Sequence, residues 1–234
     1  MRILLISGNR ETRGAMTPLP LGLACVAATT ARAGYDVEVL DLLQTPDWAT
    51  VIQTALTVAQ PDVIGLSVRN IDDQAMVNTR FLLAPLQDIV ALCRNLCDAP
   101  IVLGGAGFSI FPESALTYLG ADMGIAGDGE VAFPQLLSWL ENGRRNAPPA
   151  GVYLADTPPA HHQPRGDGAD LDSLALPEPG LWLQATLDPT WPIPVQTRRG
   201  CPNDCCYCST SAIEGRRRRC HVCHRGFSGR TASV

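Results

Sequence analysis

The sequence is poor in aromatic and charged residues, which make up 6% and 18% of its 234 positions. Its formal net charge is −5, so it lacks the overall positive charge of nucleic-acid-binding proteins, and we expect no nucleic-acid partner. No apolar run approaches the ~18 residues that a membrane span needs. The apolar stretch within residues 1–7 is too short for a signal peptide, so we expect a cytoplasmic protein without a membrane span.

Cysteine, in contrast, is abundant, with nine residues. In a reducing compartment these thiols are more often buried, catalytic or metal-binding than paired in disulfides. Cys25, Cys93 and Cys97 fall on predicted helices and are most simply small buried apolar residues. The other six cysteines all follow residue 200, so we expect any cysteine chemistry near the end of the chain.

Short apolar runs alternate with helical patterns over residues 2–142. The predicted strands cover residues 3–7, 36–41, 63–67, 101–103 and 123–126, and the predicted helices cover residues 19–32, 50–59, 75–96, 113–119 and 130–141. Five consecutive βα units predict an α/β fold with a doubly wound, parallel five-stranded, Rossmann-like sheet.

Composition divides the chain into four predicted parts. Residues 1–143 form the βα domain, and residues 144–192 form a proline-rich linker with a possible edge strand at 151–154. A short predicted strand at 193–197 begins a third part, residues 193–219. Residues 220–234 lose hydrophobic periodicity and form an irregular tail.

Ligands of parallel sheets bind outside the carboxyl ends of the strands. The polar and glycine residues predicted at those ends are Asn9, Arg10, Ser67, Arg69, Asn70, Gly104, Gly105, Gly107, Gly127, Asp128, Gly129 and Glu130. Glycine here either lets backbone amides approach a ligand or simply satisfies the geometry of a βα turn. None of the turns has the GxGxxG pattern, so an ordinary dinucleotide site is not indicated.

A dense cysteine motif follows the basic turn at residues 198–200. Cys201, Cys205 and Cys208 have the spacing CxxxCxxC, and three thiolates on one loop can hold three irons of a 4Fe–4S cluster. The fourth iron is then open to a small molecule. The alternatives are a zinc site completed by residues 220–224 and a chance arrangement. Cys206 lies outside the spacing, and we interpret it as a bystander, with substitution as a ligand the alternative.

This motif resembles the cluster loop of the radical S-adenosylmethionine enzymes, CxxxCxΦC, in which Tyr207 takes the aromatic position. The βα domain resembles the cobalamin-binding domain of the cobalamin-dependent class. Its turn at residues 104–109, which adds Phe108 and Ser109 to the candidate cofactor contacts, and its turn at residues 127–130 carry that likeness. The resemblance covers roughly residues 1–219.

The resemblance implies that Cys201, Cys205 and Cys208 ligate the cluster and that S-adenosylmethionine chelates the open iron. A reductant such as flavodoxin or ferredoxin would supply the electron that cleaves S-adenosylmethionine to methionine and a 5′-deoxyadenosyl radical. That radical would abstract hydrogen from an unreactive carbon of a small-molecule or peptide substrate. In many members methylcobalamin then donates a methyl group, while others carry out different radical chemistry.

Two features depart from that family pattern. The DxHxxG motif is absent, and residues 1–160 contain no histidine, so no histidine of the βα domain can bind cobalt. The lower face of the corrin would meet water, another side chain or nothing. The polar candidates there are Asn9, Arg10, Arg69 and Asn70.

The second departure is the end of the chain. A radical S-adenosylmethionine barrel, a partial TIM barrel, needs on the order of 200 residues, whereas 26 residues follow Cys208. We interpret the tail as a truncation or a frameshift, with a small zinc knuckle as the alternative, and expect little or no turnover from this chain alone. The alternative function is a cobalamin- or nucleotide-binding module without catalysis, with a zinc or vestigial cluster site.

Overall fold

The computed structural model describes residues 1–11, 20–43, 45–73, 75–157, 170–178, 181, 194 and 196–220. Its main sheet has the order β2-β1-β3-β4-β5-β6. The strands are β1 (Arg2–Ser7), β2 (Asp36–Asp41), β3 (Val63–Ser67), β4 (Ile101–Gly104), β5 (Met123–Ile125) and β6 (Val152–Leu154). The first five are parallel, which confirms the predicted sheet. The possible edge strand is present as β6 and runs antiparallel to β5, so the sheet has six strands.

Helices cover both faces of this sheet. They are α1 (Leu21–Arg32), α2 (Trp48–Ala59), α3 (Ala84–Leu96), α4 (Ala106–Ile110), α5 (Pro112–Leu119) and α6 (Gly129–Glu141). Alternate residues of β1 point to opposite faces, so Leu4 and Ile6 join the core formed with α2, α3 and α5, while Ile3 and Leu5 join the core formed with α1 and α6. The doubly wound architecture predicted from the βα alternation is therefore confirmed.

The helix predicted over residues 75–96 begins only at Ala84, so the prediction is wrong for residues 75–83. The carboxylate of Asp73 accepts hydrogen bonds from the backbone amides of Ala75 and Arg80 at 3.2 and 3.1 Å, which closes a loop there. Pro85 lies in the first turn of α3, where its missing N–H costs no helical hydrogen bond. It marks the start of the helix and does not kink it.

The segment after the main sheet is smaller. A two-residue strand β7 (Arg198–Arg199) pairs antiparallel with β8 (Arg219–Cys220), and α7 (Thr210–Glu214) lies between them. Of the strand predicted over residues 193–197, Pro194, Gln196 and Thr197 are not in a strand, and residues 193 and 195 lie outside the described residues. Residues 221–234, most of the predicted tail, lie outside the described residues. We call residues 196–220 the cysteine segment.

Within the described residues, no helix is long and apolar enough to cross a membrane.

Candidate cofactor cleft and cysteine loop

A cleft of about 420 Å³ lies at the carboxyl edge of the parallel strands. The cysteine segment closes part of it, through Gln196, Arg199, Ile213 and Glu214. The predicted candidates that line the cleft are Asn9, Ser67, Arg69, Gly104, Gly105, Ser109, Gly127, Asp128, Gly129 and Glu130. The tertiary structure thus brings residues of four different βα turns to one site beside the cysteine motif.

A second cavity of about 210 Å³ shares Asn9, Ser67 and Arg69 with the cleft. Arg10 and Asn70 line this second cavity and not the first. The Arg10 guanidinium lies over the Trp48 ring, 4.7 Å from its centroid, which fixes the side chain by a cation–π contact. Of the four polar candidates for the lower face of a corrin, only Asn9 and Arg69 therefore reach both cavities.

Phe108 and Gly107 are corrections to the predicted set. Phe108 is fully buried in the core and packs edge-on against Tyr153, with ring centroids 6.2 Å apart. A Cβ on Gly124 would collide with its ring, so a glycine in β5 makes room for it. Gly107 lies against the backbone of Arg69 and Asn70, 3.1 Å from where its own Cβ would stand. Both residues serve packing and do not line the cleft.

Gly105 and Gly104 have different environments although they are adjacent. Gly105 has φ +98°, and a Cβ there would lie 2.7 Å from the carbonyl oxygen of Val68, so the turn itself requires glycine. A Cβ on Gly104 would meet nothing within 4 Å. The turn-geometry interpretation therefore accounts for Gly105, whereas Gly104 leaves space in the cleft.

Ser109 joins two of the glycine turns. Its hydroxyl donates to the carbonyl oxygen of Gly105 at 2.9 Å and accepts from the amide of Gly127 at 3.0 Å. The side chain is buried, so these hydrogen bonds are shielded from water. The β4–α4 and β5–α6 turns are consequently held in a fixed relation at the mouth of the cleft.

Sequence reasoning missed Ser7 and Asp41, which also line the cleft. Burial raises the pKa of the Asp41 carboxyl, while hydrogen bonds from the Leu43 amide and the Ser7 hydroxyl and the charge of Arg69 lower it in part. Both residues end strands, β1 and β2. The rule that ligands bind at the carboxyl ends of strands, which indicated the last residues of β3 and β4, applies equally to these last residues of β1 and β2.

The turn at residues 127–130, which we call the acidic turn, carries ion pairs to the cysteine segment. Arg199 Nη1 lies 3.1 Å from Glu130 Oε2 and 3.2 Å from Asp128 Oδ1, and Arg199 Nη2 also donates to Glu130 Oε1. Arg219 Nη1 binds the other oxygen of Asp128. Burial would lower the pKa of Arg199, but the hydrogen bonds and charges of Glu130 and Asp128 raise it above its ordinary value.

The cysteine loop, residues 200–208, follows the ion-paired Arg199 and is exposed to solvent over residues 202–208. The Gly200 amide donates to Glu214 Oε2 at 2.8 Å, and the Cys201 amide donates to the Gly215 carbonyl at 3.0 Å. Cys201 is half-buried, whereas Cys205 and Cys208 are exposed. The exposed bystander Cys206 and Tyr207, whose side chain is 87% exposed, lie on the same loop.

Metal-binding geometry is not formed in the structure: in the described part of the chain, no three His, Cys, Asp or Glu side chains are grouped to hold a metal ion. The donors nevertheless fit an iron–sulfur cluster by their chemistry, because three accessible thiols lie on one loop. A hydrogen bond with the Thr210 hydroxyl, at 3.2 Å from Sγ, lowers the pKa of Cys208. The thiolate that a cluster ligand requires is thereby favoured.

Known proteins resemble this chain in both sequence and fold. Residues 14–137 match the B12 binding domain. Tryptophan 2-C-methyltransferase of Streptomyces laurentii is 29% identical over 126 residues, which are 53% of this chain and 21% of that protein. Hopanoid C-3 methylase of Methylococcus capsulatus is 29% identical over 210 residues, which are 84% of this chain and 37% of that protein.

A solved structure extends the likeness to the fold. It is the radical S-adenosylmethionine methyltransferase TsrM from Kitasatospora setae with cobalamin and a 4Fe–4S cluster bound, at a TM-score of 0.74 and 23% identity. The match covers 93% of this chain and 43% of TsrM. The chain thus spans less than half the length of each of these three proteins.

The chain therefore belongs to the B12-binding domain family. The resemblance to cobalamin-dependent radical S-adenosylmethionine enzymes, stated above from the cysteine motif and the glycine turns, is confirmed by these relatives.

Proposed function

We propose that this chain holds cobalamin in the cleft and a 4Fe–4S cluster on the cysteine loop, as part of an enzyme that cleaves S-adenosylmethionine reductively to methylate or otherwise modify an unreactive carbon. The observation that carries the proposal is the shared wall of the cleft, where residues of the cysteine segment meet the strand ends of a B12-binding domain. The cysteine loop begins directly after Arg199, one of those residues, so neighbouring parts of the chain would hold the two cofactors.

Bound cofactors would supply an electron from the cluster and a methyl group from the corrinoid, and the chain's residues supply position. Cys201, Cys205 and Cys208 would hold the cluster, and the lowered pKa of Cys208 favours its thiolate. Gly104 leaves open space for the corrinoid, and Asn9 and Arg69 reach both cavities. The proposal includes a cytoplasmic location, where thiols stay reduced, a flavodoxin- or ferredoxin-like reductant, and a small-molecule or peptide substrate.

The second candidate is a corrinoid-binding module without catalysis, in which the cysteines hold zinc or nothing. The observation in its favour is that the thiols are not grouped around a metal position among the described residues. The two candidates differ in the metal that the loop takes up and agree on the corrinoid.

The test begins with anaerobic reconstitution of the chain using ferrous iron and sulfide, followed by iron analysis and electron paramagnetic resonance. We expect about four irons per chain for a 4Fe–4S cluster. The triple variant Cys201→Ala, Cys205→Ala, Cys208→Ala should lose them. Cys206→Ala is the matched control, because Cys206 is an exposed thiol of the same loop, and it should retain the iron.

Corrinoid binding is measured separately, by the change in the visible spectrum of hydroxocobalamin and its co-elution with the chain. Zinc without iron, combined with corrinoid binding, would establish the binding module in place of the enzyme. Iron at the wild-type level in the triple variant would contradict the ligand assignment, and absence of corrinoid binding would contradict the cofactor cleft.

A further inference from the structure

The cysteine segment is attached to the βα domain through one buried polar cluster. Glu130 and Arg199 are 5% and 8% exposed, so their contacts are almost completely withdrawn from water. Glu130 presents both carboxylate oxygens to the two terminal nitrogens of Arg199, a paired arrangement that a lysine cannot reproduce. Asp128 bridges Arg199 and Arg219, which lie on the paired strands β7 and β8.

Other contacts of this segment are more exposed. Helix α7 has no buried residue, although it contacts α4. The ion pair between Arg216 and Asp204, which joins two parts of the segment itself, has side chains that are 64% and 77% exposed. Exposed ion pairs contribute little to stability, because water and salt screen them.

The acidic turn also lines the cleft, since residues 127–130 all contribute to its wall. Gly200 and Cys201 directly follow Arg199, so a displacement of the turn would be transmitted to the first cysteine of the motif. A Cβ on Gly200, whose φ is +81°, would collide with the Arg217 carbonyl oxygen. This close approach to the Arg217 backbone, together with the hydrogen bonds of the Gly200 and Cys201 amides to Glu214 and Gly215, holds the backbone between the arginine and the cysteine.

We propose that Asp128 and Glu130 are positioning residues that hold the cysteine loop at the cofactor cleft through Arg199 and Arg219, so that a ligand in the cleft orders the loop. The ion pairs that hold the cysteine loop are formed by the chain alone. The coupling to the ligand rests on the proposed function, in which that ligand is a corrinoid.

Hydrogen–deuterium exchange of the chain, with and without hydroxocobalamin, tests both parts. In Glu130→Gln, Asp128→Asn and Arg199→Lys, we expect the amides of Gly200 and Cys201 to exchange at least ten-fold faster than in the wild type. Arg216→Gln is the matched control, because it removes an exposed arginine contact in the same segment, and it should exchange like the wild type. Unchanged exchange in β1 and β4 shows that each variant is folded.

Hydroxocobalamin should slow exchange at Gly200 and Cys201 at least three-fold in the wild type and in Arg216→Gln, and should not slow it in Arg199→Lys. A merely structural contact would not produce this dependence on the ligand. If Glu130→Gln fails to fold, Arg199→Lys decides the result, because it keeps the positive charge and loses the paired geometry. Since Arg199 also lines the cleft, co-elution of hydroxocobalamin with this variant must show that the ligand is still bound.

Equal exchange of the Gly200 and Cys201 amides in Arg199→Lys, the wild type and Arg216→Gln would contradict the proposal that the ion pairs hold the cysteine loop. Protection of the β4–α4 turn by hydroxocobalamin without protection of Gly200 and Cys201 would overturn the coupling. Absence of any effect of hydroxocobalamin on the spectrum or on exchange would contradict the proposed function and with it the coupling. In that case, faster exchange of the Gly200 and Cys201 amides in the ligand-free variants would still show that the ion pairs hold the cysteine loop.

Discussion

The βα domain and the cysteine segment are stabilised by different forces. The domain has a hydrophobic core on each face of its sheet, with strand residues such as Leu4 and Leu103 fully buried. The cysteine segment has short strands, a five-residue helix without a buried residue and an exposed loop over residues 202–208. Its buried side chain is Arg199, an ion-paired arginine.

This difference assigns two roles to the two regions: the domain forms the cleft, and the ion pairs position the cysteine loop. Apolar burial is non-directional and gives the domain a rigid cleft, whereas the charged hydrogen bonds of Arg199 are directional and set where the cysteine loop begins. The domain is therefore expected to fold without the segment, and the segment to depend on the domain for its position.

The largest expected difference between the two regions is in the free energy of unfolding when a large side chain is removed from each. Phe108→Ala should lower the free energy of unfolding by about 3–5 kcal/mol, because it leaves a cavity under β5 in a fully buried site. Tyr207→Ala, in the exposed cysteine loop, should change it by less than about 0.5 kcal/mol. Urea denaturation followed by circular dichroism measures both changes. Similar losses of unfolding free energy in the two variants would contradict the conclusion that the hydrophobic core, and not the cysteine loop, stabilises the fold.

A second prediction separates packing from ligand space at adjacent glycines. Gly105→Ala should lower the free energy of unfolding by about 1–3 kcal/mol, because φ is positive and the Cβ meets the Val68 carbonyl. Gly104→Ala should leave stability within about 0.5 kcal/mol, since the added Cβ meets no atom within 4 Å. Chemical denaturation of both variants makes the comparison.

Gly104 should matter instead for ligand binding. Gly104→Leu places a side chain in the cleft and should weaken hydroxocobalamin binding at least ten-fold by spectroscopic titration. Unchanged affinity in Gly104→Leu would mean that the corrinoid does not occupy the space beside β4.

The smallest expected effect concerns the loop before α3. Hydrogen bonds from the Arg80 amide and the Arg80 side chain lower the pKa of Asp73. A carboxyl with a lowered folded-state pKa stabilises the loop above its unfolded pKa of about 4 and loses that effect as the pH falls through the folded value. The protection of the Arg80 amide, which is its exchange rate compared with that of an unstructured amide at the same pH, should therefore fall at acid pH in the wild type. Asp73→Asn should show low protection without this pH dependence, and a persistent dependence would point to another group.

Local patterns predicted most of the domain and failed where individual side-chain contacts determine the structure. The βα alternation gave the parallel strands, and the rule for strand ends located the cleft. The helix over residues 75–96 was overextended, because the hydrogen bonds of Asp73 close a loop that periodicity does not reveal. Phe108 was misplaced because a sequence shows that a residue follows a glycine turn, not that its ring lies under Gly124.

The acidic turn is the clearest case of a role hidden from the sequence. Asp128 and Glu130 were predicted as cofactor contacts from their place after β5, and they do line the cleft. Their partner Arg199 lies 69 residues after Glu130, and nothing local connects the two.

The sequence by itself determined the parallel α/β domain, the site at its strand ends and the cysteine motif, because hydrophobic periodicity, glycine turns and ligand spacing are all local properties of a chain. Only the tertiary structure decided which glycines leave space and which are needed for packing, and which charged residues join the cysteine segment to the domain. Those outcomes depend on burial and on contacts between residues far apart in the sequence, which exist only after the chain has folded.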